Sequence, residues 1–179
     1  MKQLSENILD ITMNSVRAGS PLTHITLTEC GDLLTISIVD TGCGMSDEQV
    51  KNVTDPFFTT RTTRKVGLGL PFFKMGAEQT GGSFEIKSTL GKGTSVTATY
   101  NMDHIDSIPL GDIPETVMTI IGAAPELDFV FTHKRDGAEV VLDTRELRDQ
   151  LEGVPLDTPE VLLWIKGYLE ECYAENFGS

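Results

Sequence analysis

No stretch of these 179 residues is apolar for the length a membrane span needs, and the first residues lack the apolar core of a secretion signal. Three cysteines, Cys30, Cys43 and Cys172, stand apart. They have no metal-site spacing, and their odd number argues against a disulfide framework. Basic residues are scarce: 14 against 27 acidic ones, a net charge of −13. That sign works against binding a phosphate backbone. These absences lead to the expectation of a cytoplasmic protein with no membrane and no nucleic-acid partner. A hydrophobic content of 39% suffices for a core, and the length gives room for one good domain with a small appendage.

Glycine, by contrast, is placed with purpose. Leu33 to Val39 alternates as a strand, with Leu34, Ile36 and Ile38 on one face. Asp40-Thr-Gly-Cys-Gly-Met45 follows directly. A carboxylate at a strand end, over an apolar wall, can accept the exocyclic amine of adenine, where guanine would present a repelled carbonyl. Gly42 and Gly44 allow positive φ and close backbone approach to a flat ring. An ordinary Asp/Gly turn is the plainer alternative. Cys43, inside this run, reads as a small residue at a tolerant position, with redox sensing as the alternative.

Upstream, Leu4, Ile8, Ile11, Ser15 and Ala18 recur at helical spacing and predict a helix over 4–18 with a buried face. Asp10, Asn14 and Arg17 lie within ~60° of arc on it. A carboxylate, an amide oxygen and a guanidinium in a row suit a hydrated Mg²⁺ and the phosphates it bridges. The carboxylate could orient or deprotonate a nucleophile. A polar face that simply meets water is the alternative.

Downstream, the segment 54–66 has no long apolar periodicity, carries Arg61, Arg64 and Lys65, and ends in Gly67-Leu-Gly-Leu70. A helix over 69–80 follows and stops at Gly81-Gly82. Glycines at a helix start offer N–H groups to an anion. The basic, glycine-hinged loop reads as a lid over a polyphosphate, or as a charged surface loop. No Lys-Ser/Thr follows the glycines, so it is not a Walker loop.

In this order, the three stretches resemble the N, G1 and G2 boxes of the gyrase/histidine-kinase/MutL ATPase superfamily. Asp55-Pro-Phe-Phe-Thr-Thr-Arg61 resembles the phenylalanine-containing box of sensor kinases and the matching stretch of anti-sigma-factor serine kinases. Gly91-Lys-Gly-Thr94 resembles the turn that closes the adenine pocket in kinases. The resemblance covers 1–102 and implies the Bergerat fold, an α/β (α+β) two-layer sandwich, binding ATP with Mg²⁺. It implies that Asn14 ligates Mg²⁺ and Asp40 recognises adenine. Gly42, Gly44 and Thr94 shape the base pocket, Arg17 and Arg61 approach phosphates, Gly67 and Gly69 hinge the lid, and Met45, Leu68 and Leu70 count among the nucleotide-binding residues.

Two departures bear on chemistry. Sensor kinases carry Asn where this chain has Asp10, whereas the superfamily's ATPases and serine kinases carry Glu there to activate water or a hydroxyl. Asp10 is thus the candidate general base. The N box begins almost at Met1, which leaves no room for the two-helix hairpin that bears a phospho-accepting histidine. His24, His104 and His133 do not replace it, and each reads as a surface residue. A phosphate acceptor is then expected on a separate protein.

Charge divides the chain. Residues 1–102 hold 9 basic and 10 acidic residues, and residues 103–179 hold 5 and 17. The acidic part reads as a connector, 103–114, and an α-β-β-α-α extension, 115–179. A helix is expected over 115–123, then strands over 127–132 and 138–142 around a hairpin turn at 134–137. An N-cap at Asp143 opens a helix, and a last helix starts at Thr158-Pro159 and runs to about 174. The extension could pack on the main sheet, bind a partner or mediate a homodimer.

Three functional classes fit: a regulatory protein kinase transferring the ATP γ-phosphate to Ser/Thr or His of a separate protein, a nucleotide-dependent binding module with little turnover, and an ATPase of the same superfamily.

Overall fold

The alternating run Leu34, Ile36, Ile38 becomes the floor of the molecule. The computed structural model describes residues 3–55 and 69–178. In it the three side chains lie at most 1% exposed on β2 (Leu33–Asp40). β1 (Leu22–Cys30) runs antiparallel beside β2, with Ile25 opposite Ile38 and Leu27 opposite Ile36. On the other side β4 (Gly93–Asn101) sets Val96 and Ala98 against the same two isoleucines, and β3 (Ser83–Thr89) pairs antiparallel with β4. Because side chains alternate between faces, this register puts Ile25, Leu27, Leu34, Ile36, Ile38, Val96 and Ala98 on one side, and a row of Ser and Thr flanked by the exposed Leu33 and Val39 on the other.

The apolar face is covered by helices. α1 (Leu4–Arg17) buries Leu4, Ile8, Ile11 and Ser15. α3 (Gly69–Gln79) buries Leu70, Phe73 and Ala77. Between them in sequence lies a short α2 (Asp47–Val53), which hydrophobic periodicity does not announce. Its signal is the capping box Ser46-Asp-Glu-Gln49, in which Ser46 Oγ accepts from the Gln49 N–H and Gln49 reaches back to the Ser46 N–H. α3 ends at Gly81 (φ +80°) and Gly82, where a Cβ would stand 1.7 Å from Thr99 O.

The acidic C-terminal elements continue the same sheet. β5 (Asp128–Arg135) pairs parallel with β1, and β6 (Ala138–Asp143) pairs antiparallel with β5. The strand order is β3-β4-β2-β1-β5-β6. The turn between β5 and β6 uses Asp136 (φ +49°) and Gly137 (φ +82°), the two positive φ values of a type I′ hairpin. α4 (Ile113–Ala123) is capped by Asp112, and α5 (Thr144–Leu151) by Asp143, which accepts from the Arg145 N–H. α6 (Pro159–Phe177) runs three residues beyond the expected end. Thr158 does not cap it with its side chain: the hydroxyl donates to Pro155 O instead.

The segment before α4 ties the two halves at the backbone. Pro109 O accepts from the Leu4 N–H at 2.9 Å, and Leu110 O accepts from the Ser5 N–H at 2.8 Å. These are free donors at the start of α1, and Gln3 offers them no side-chain cap.

His24 is exposed and His104 half-buried, but His133 corrects the surface reading, being fully buried. β5 extends to Arg135, so His133 falls in phase with Phe129 and Phe131, opposite Leu27 and Val140. Its Nε2 meets Glu29 Oε2 at 2.6 Å and its Nδ1 meets the Tyr173 hydroxyl at 2.7 Å. A carboxylate only accepts, so Nε2 carries the proton, and Tyr173 donates to Nδ1 of the neutral ring. Burial lowers the pKa of His133, with Glu29 opposing that shift.

Candidate functional site

A cavity of about 180 Å³ opens between α1, the end of β2, the start of α3 and β4. Ile11, Ile38, Met45, Val53, Leu70 and Val96 give it apolar walls, and Asp40 stands among them. This carboxylate is 8% exposed and held by three donors from its surroundings. Oδ2 accepts from Ser15 Oγ at 2.6 Å, and Oδ1 accepts from the Gly42 N–H at 2.9 Å and the Thr94 N–H at 3.1 Å. Three donors fix its orientation, and a carboxylate with four lone-pair sites still has capacity for a ligand N–H.

The loop after Asp40 is clamped from both sides. The Cys43 N–H donates to Ala18 O at the end of α1, and Cys43 O accepts from the Gly91 N–H. The Met45 N–H donates to Ser88 Oγ at 2.7 Å, and Ser88 Oγ lies 2.8 Å from Thr94 Oγ1. Both glycines of the run are needed sterically. A Cβ on Gly42 would stand 2.8 Å from Ala18 O, and one on Gly44 would stand 2.0 Å from Thr89 O at φ +70°. The Gly91-to-Thr94 turn thus abuts the Asp40 loop.

The candidate residues separate by position. Asn14, Asp40, Gly44, Met45, Leu70 and Thr94 line the cavity, while Gly42 sits buried behind it. Arg17 is exposed at its edge, donating from Nη2 to Asn14 Oδ1. Asp10 is not a wall of the cavity. It lies where α1 meets α3, so close that a Cβ on Gly69 would stand 3.0 Å from its own Cβ. Burial raises the Asp10 pKa above the ordinary carboxylate value, with Arg17 pulling it down and Glu6 pushing it up. Arg61, Gly67, Leu68 and most of the expected lid lie outside the described residues.

Sequence reasoning assigned Ser15 to the buried face of its helix but missed its hydrogen bond to Asp40, and it missed Ser88 altogether. The only sequence signal for either is a small hydroxyl residue beside a site motif.

Fit for a nucleotide follows from this donor set. An apolar slot with one fixed acceptor at its floor suits a purine amine. Asn14 Oδ1 is a single protein oxygen, enough for a Mg²⁺ that keeps its waters and bridges phosphates. Arg17, which now holds that oxygen, is free to turn its planar donors to phosphate.

Comparisons with known proteins give the family and the fold. Residues 1–104 match the family model described as histidine kinase-, DNA gyrase B- and HSP90-like ATPase. A putative sensor protein of Shewanella frigidimarina is 32% identical over 109 residues, covering 59% of this chain and 17% of the relative. The sensor protein SrrB of Staphylococcus aureus is 38% identical over 104 residues, covering 53% and 17%. The chain therefore spans about a sixth of the length of these curated relatives. Among solved structures, the N-terminal domain of a DNA repair protein superposes with a TM-score of 0.53 at 14% identity, covering 80% of this chain and 53% of that one. At that identity the likeness is one of fold.

Proposed function

The chain belongs to the histidine kinase-, DNA gyrase B- and HSP90-like ATPase family, and from that premise we propose that it is a regulatory protein kinase that passes the ATP γ-phosphate to a separate protein. The observation that carries the nucleotide half of this reading is Asp40, held by three donors at the floor of an apolar cavity. Its free acceptor capacity matches the adenine amine and opposes the guanine carbonyl.

Asn14 would hold the Mg²⁺, which supplies charge neutralisation on the phosphates. Arg17 and Arg61 would contact phosphate oxygens. Asp10 would accept the proton of the attacking hydroxyl or imidazole on the partner. Its raised pKa supports that role, because a carboxylate of higher pKa is a stronger base when ionised.

Calorimetric titration with Mg²⁺–ATP and Mg²⁺–GTP, on wild type and Asp40→Asn, tests the pocket. Adenine-selective binding lost in the variant is the expected result, and no binding by the wild type overturns it. Labelled ATP with candidate partners then tests transfer, acid-stable phosphate marking Ser/Thr and acid-labile phosphate marking His. Steady ADP release without a partner would make the protein an ATPase. Tight binding with neither product would make it an ATP-dependent binding module.

A further inference from the structure

The C-terminal elements carry an apolar groove that the fold leaves open. It lies between α5 and α6, has a volume of about 420 Å³, and is walled by Leu147 and Leu151 of one helix and by Val161 and Trp164 of the other. Gln150 and Glu160 complete its lining. Trp164, the chain's only tryptophan, is 51% exposed. Tyr168, one turn on, stacks against it with ring centroids 5.1 Å apart and planes 11° from parallel. A stacked aromatic pair thus stands at the surface, where such large apolar area gains least.

The charge around the groove has one sign. Residues 144–177 hold eight carboxylates and three basic side chains. Two of the three are spent, Arg145 on Asp143 and Arg148 on Asp128. The third, Lys166, projects ~160° round α6 from Trp164. None of the eight carboxylates joins a salt bridge among the described residues. On α6, Glu160, Trp164 and Glu171 fall within ~40° of arc, so acid flanks the tryptophan on both sides along the helix. Tyr168 has its pKa raised by Cys172, by burial and by the charge of Glu146, so a carboxylate of α5 stands near the aromatic pair as well.

Shape and charge together select the occupant. A second copy would bring the same acidic rim onto this one, and like charges across an interface repel. An anionic lipid surface is opposed by the same sign. Positive charge at both ends of an apolar centre complements the groove, and walls that are themselves helices accept a third helix between them. We propose that the α5–α6 groove is a docking site for a basic amphipathic helix of a partner protein, which seats an apolar side chain against Trp164 and sets Lys or Arg on either side of it. The groove shares no lining residue with the nucleotide pocket, so its role is independent of the chemistry there.

The probe is a synthetic Leu/Lys peptide of about four helical turns with its leucines on one face, titrated into the full chain while Trp164 emission is read. Emission should shift to the blue as the indole is covered, with a micromolar Kd that weakens as salt rises. A scrambled peptide of the same composition should bind at least tenfold more weakly, and a Leu/Glu peptide of the same pattern not at all. Trp164→Ala leaves every charge in place and, by calorimetry, should cost at least tenfold in affinity, the mark of a central aromatic anchor. Gln150→Lys puts a cation at an exposed position of the groove and should cost at least about fivefold with a nearly unchanged melting temperature. Absence of binding to the wild type at submillimolar concentration overturns the proposal. Equal binding of the scrambled peptide overturns it too, since the acidic surface then attracts any cation. So does full affinity in either folded variant. So does sedimentation showing a wild-type dimer that Trp164→Ala splits, because the groove is then a contact between copies.

Discussion

Ser15 Oγ donates to Asp40 Oδ2 at 2.6 Å, joining the last turn of α1 to the end of β2 across 25 residues of chain. The bond is buried and is made to an ionisable acceptor, the stronger kind. It ties the proposed metal-binding helix to the proposed adenine-reading carboxylate.

Ser15→Ala should therefore weaken ATP binding about five- to tenfold, the worth of one such bond, and lower the melting temperature by a few degrees. Asp40→Asn should cost more and abolish the preference for ATP over GTP. Calorimetry on both variants checks the order. Equal ATP affinity for Ser15→Ala and wild type would detach Ser15 from the site.

Gly44→Ala places a methyl 2.0 Å from Thr89 O and forces a side-chain-bearing residue to φ +70°. The strain alone costs roughly 1–3 kcal/mol, and the overlap adds to it. The urea midpoint should fall by an amount equivalent to at least about 2 kcal/mol with an unchanged slope. An unaffected midpoint would mean that the loop is not clamped against the β3–β4 turn.

Asp10 costs stability in its charged form. Its folded pKa lies above the 3.8 of the unfolded chain because burial penalises the charge. The folded state thus binds more protons in the window above 3.8, and stability falls as pH rises through the raised pKa. Asp10→Asn should then melt about 1–3 °C higher at pH 7, with the gain vanishing below pH 4. Phosphotransfer, if Asp10 is the base, should fall at least a hundredfold in the same variant. Thermal scans at several pH values and a transfer assay read the two effects separately.

His133 predicts the opposite slope. Its pKa is lowered by burial from 6.5, so the unfolded chain binds more protons, and stability is lost as pH falls below about 6.5. The melting temperature should decline between pH 6.5 and 5, and His133→Gln should flatten that decline. Protonation would also put a second N–H against the Tyr173 hydroxyl, which now donates to that nitrogen. α6 is held there as well by Arg135, whose guanidinium lies 4.6 Å over the Phe177 ring. Protection factors in α6, which remove the slower intrinsic exchange at low pH, should therefore fall at pH 5 in the wild type more than in His133→Gln.

Much of the candidate site was legible along the chain because it depends on short-range geometry. A strand of period two ends at Asp40, glycine stands where φ is positive at Gly44, and Asn14 follows Asp10 by one helical turn. Those features need only neighbouring residues, and the matched order of motifs over 1–104 carries the family. A hairpin turn over 134–137 was equally local, although β5 runs on to Arg135 and leaves only Asp136 and Gly137 in the turn. Pairing partners were not. Nothing near Leu22 says that β1 will take Asp128–Arg135 as its parallel neighbour, and only that register carries His133 to Glu29 across 104 residues. Likewise the three donors on Asp40 come from α1, from its own loop and from β4. The sequence by itself determined which residues could do chemistry, through periodicity, turns and side-chain type. The tertiary structure decided which of them meet, because hydrogen-bond partners and burial are set by sheet register and helix packing between segments far apart in the chain.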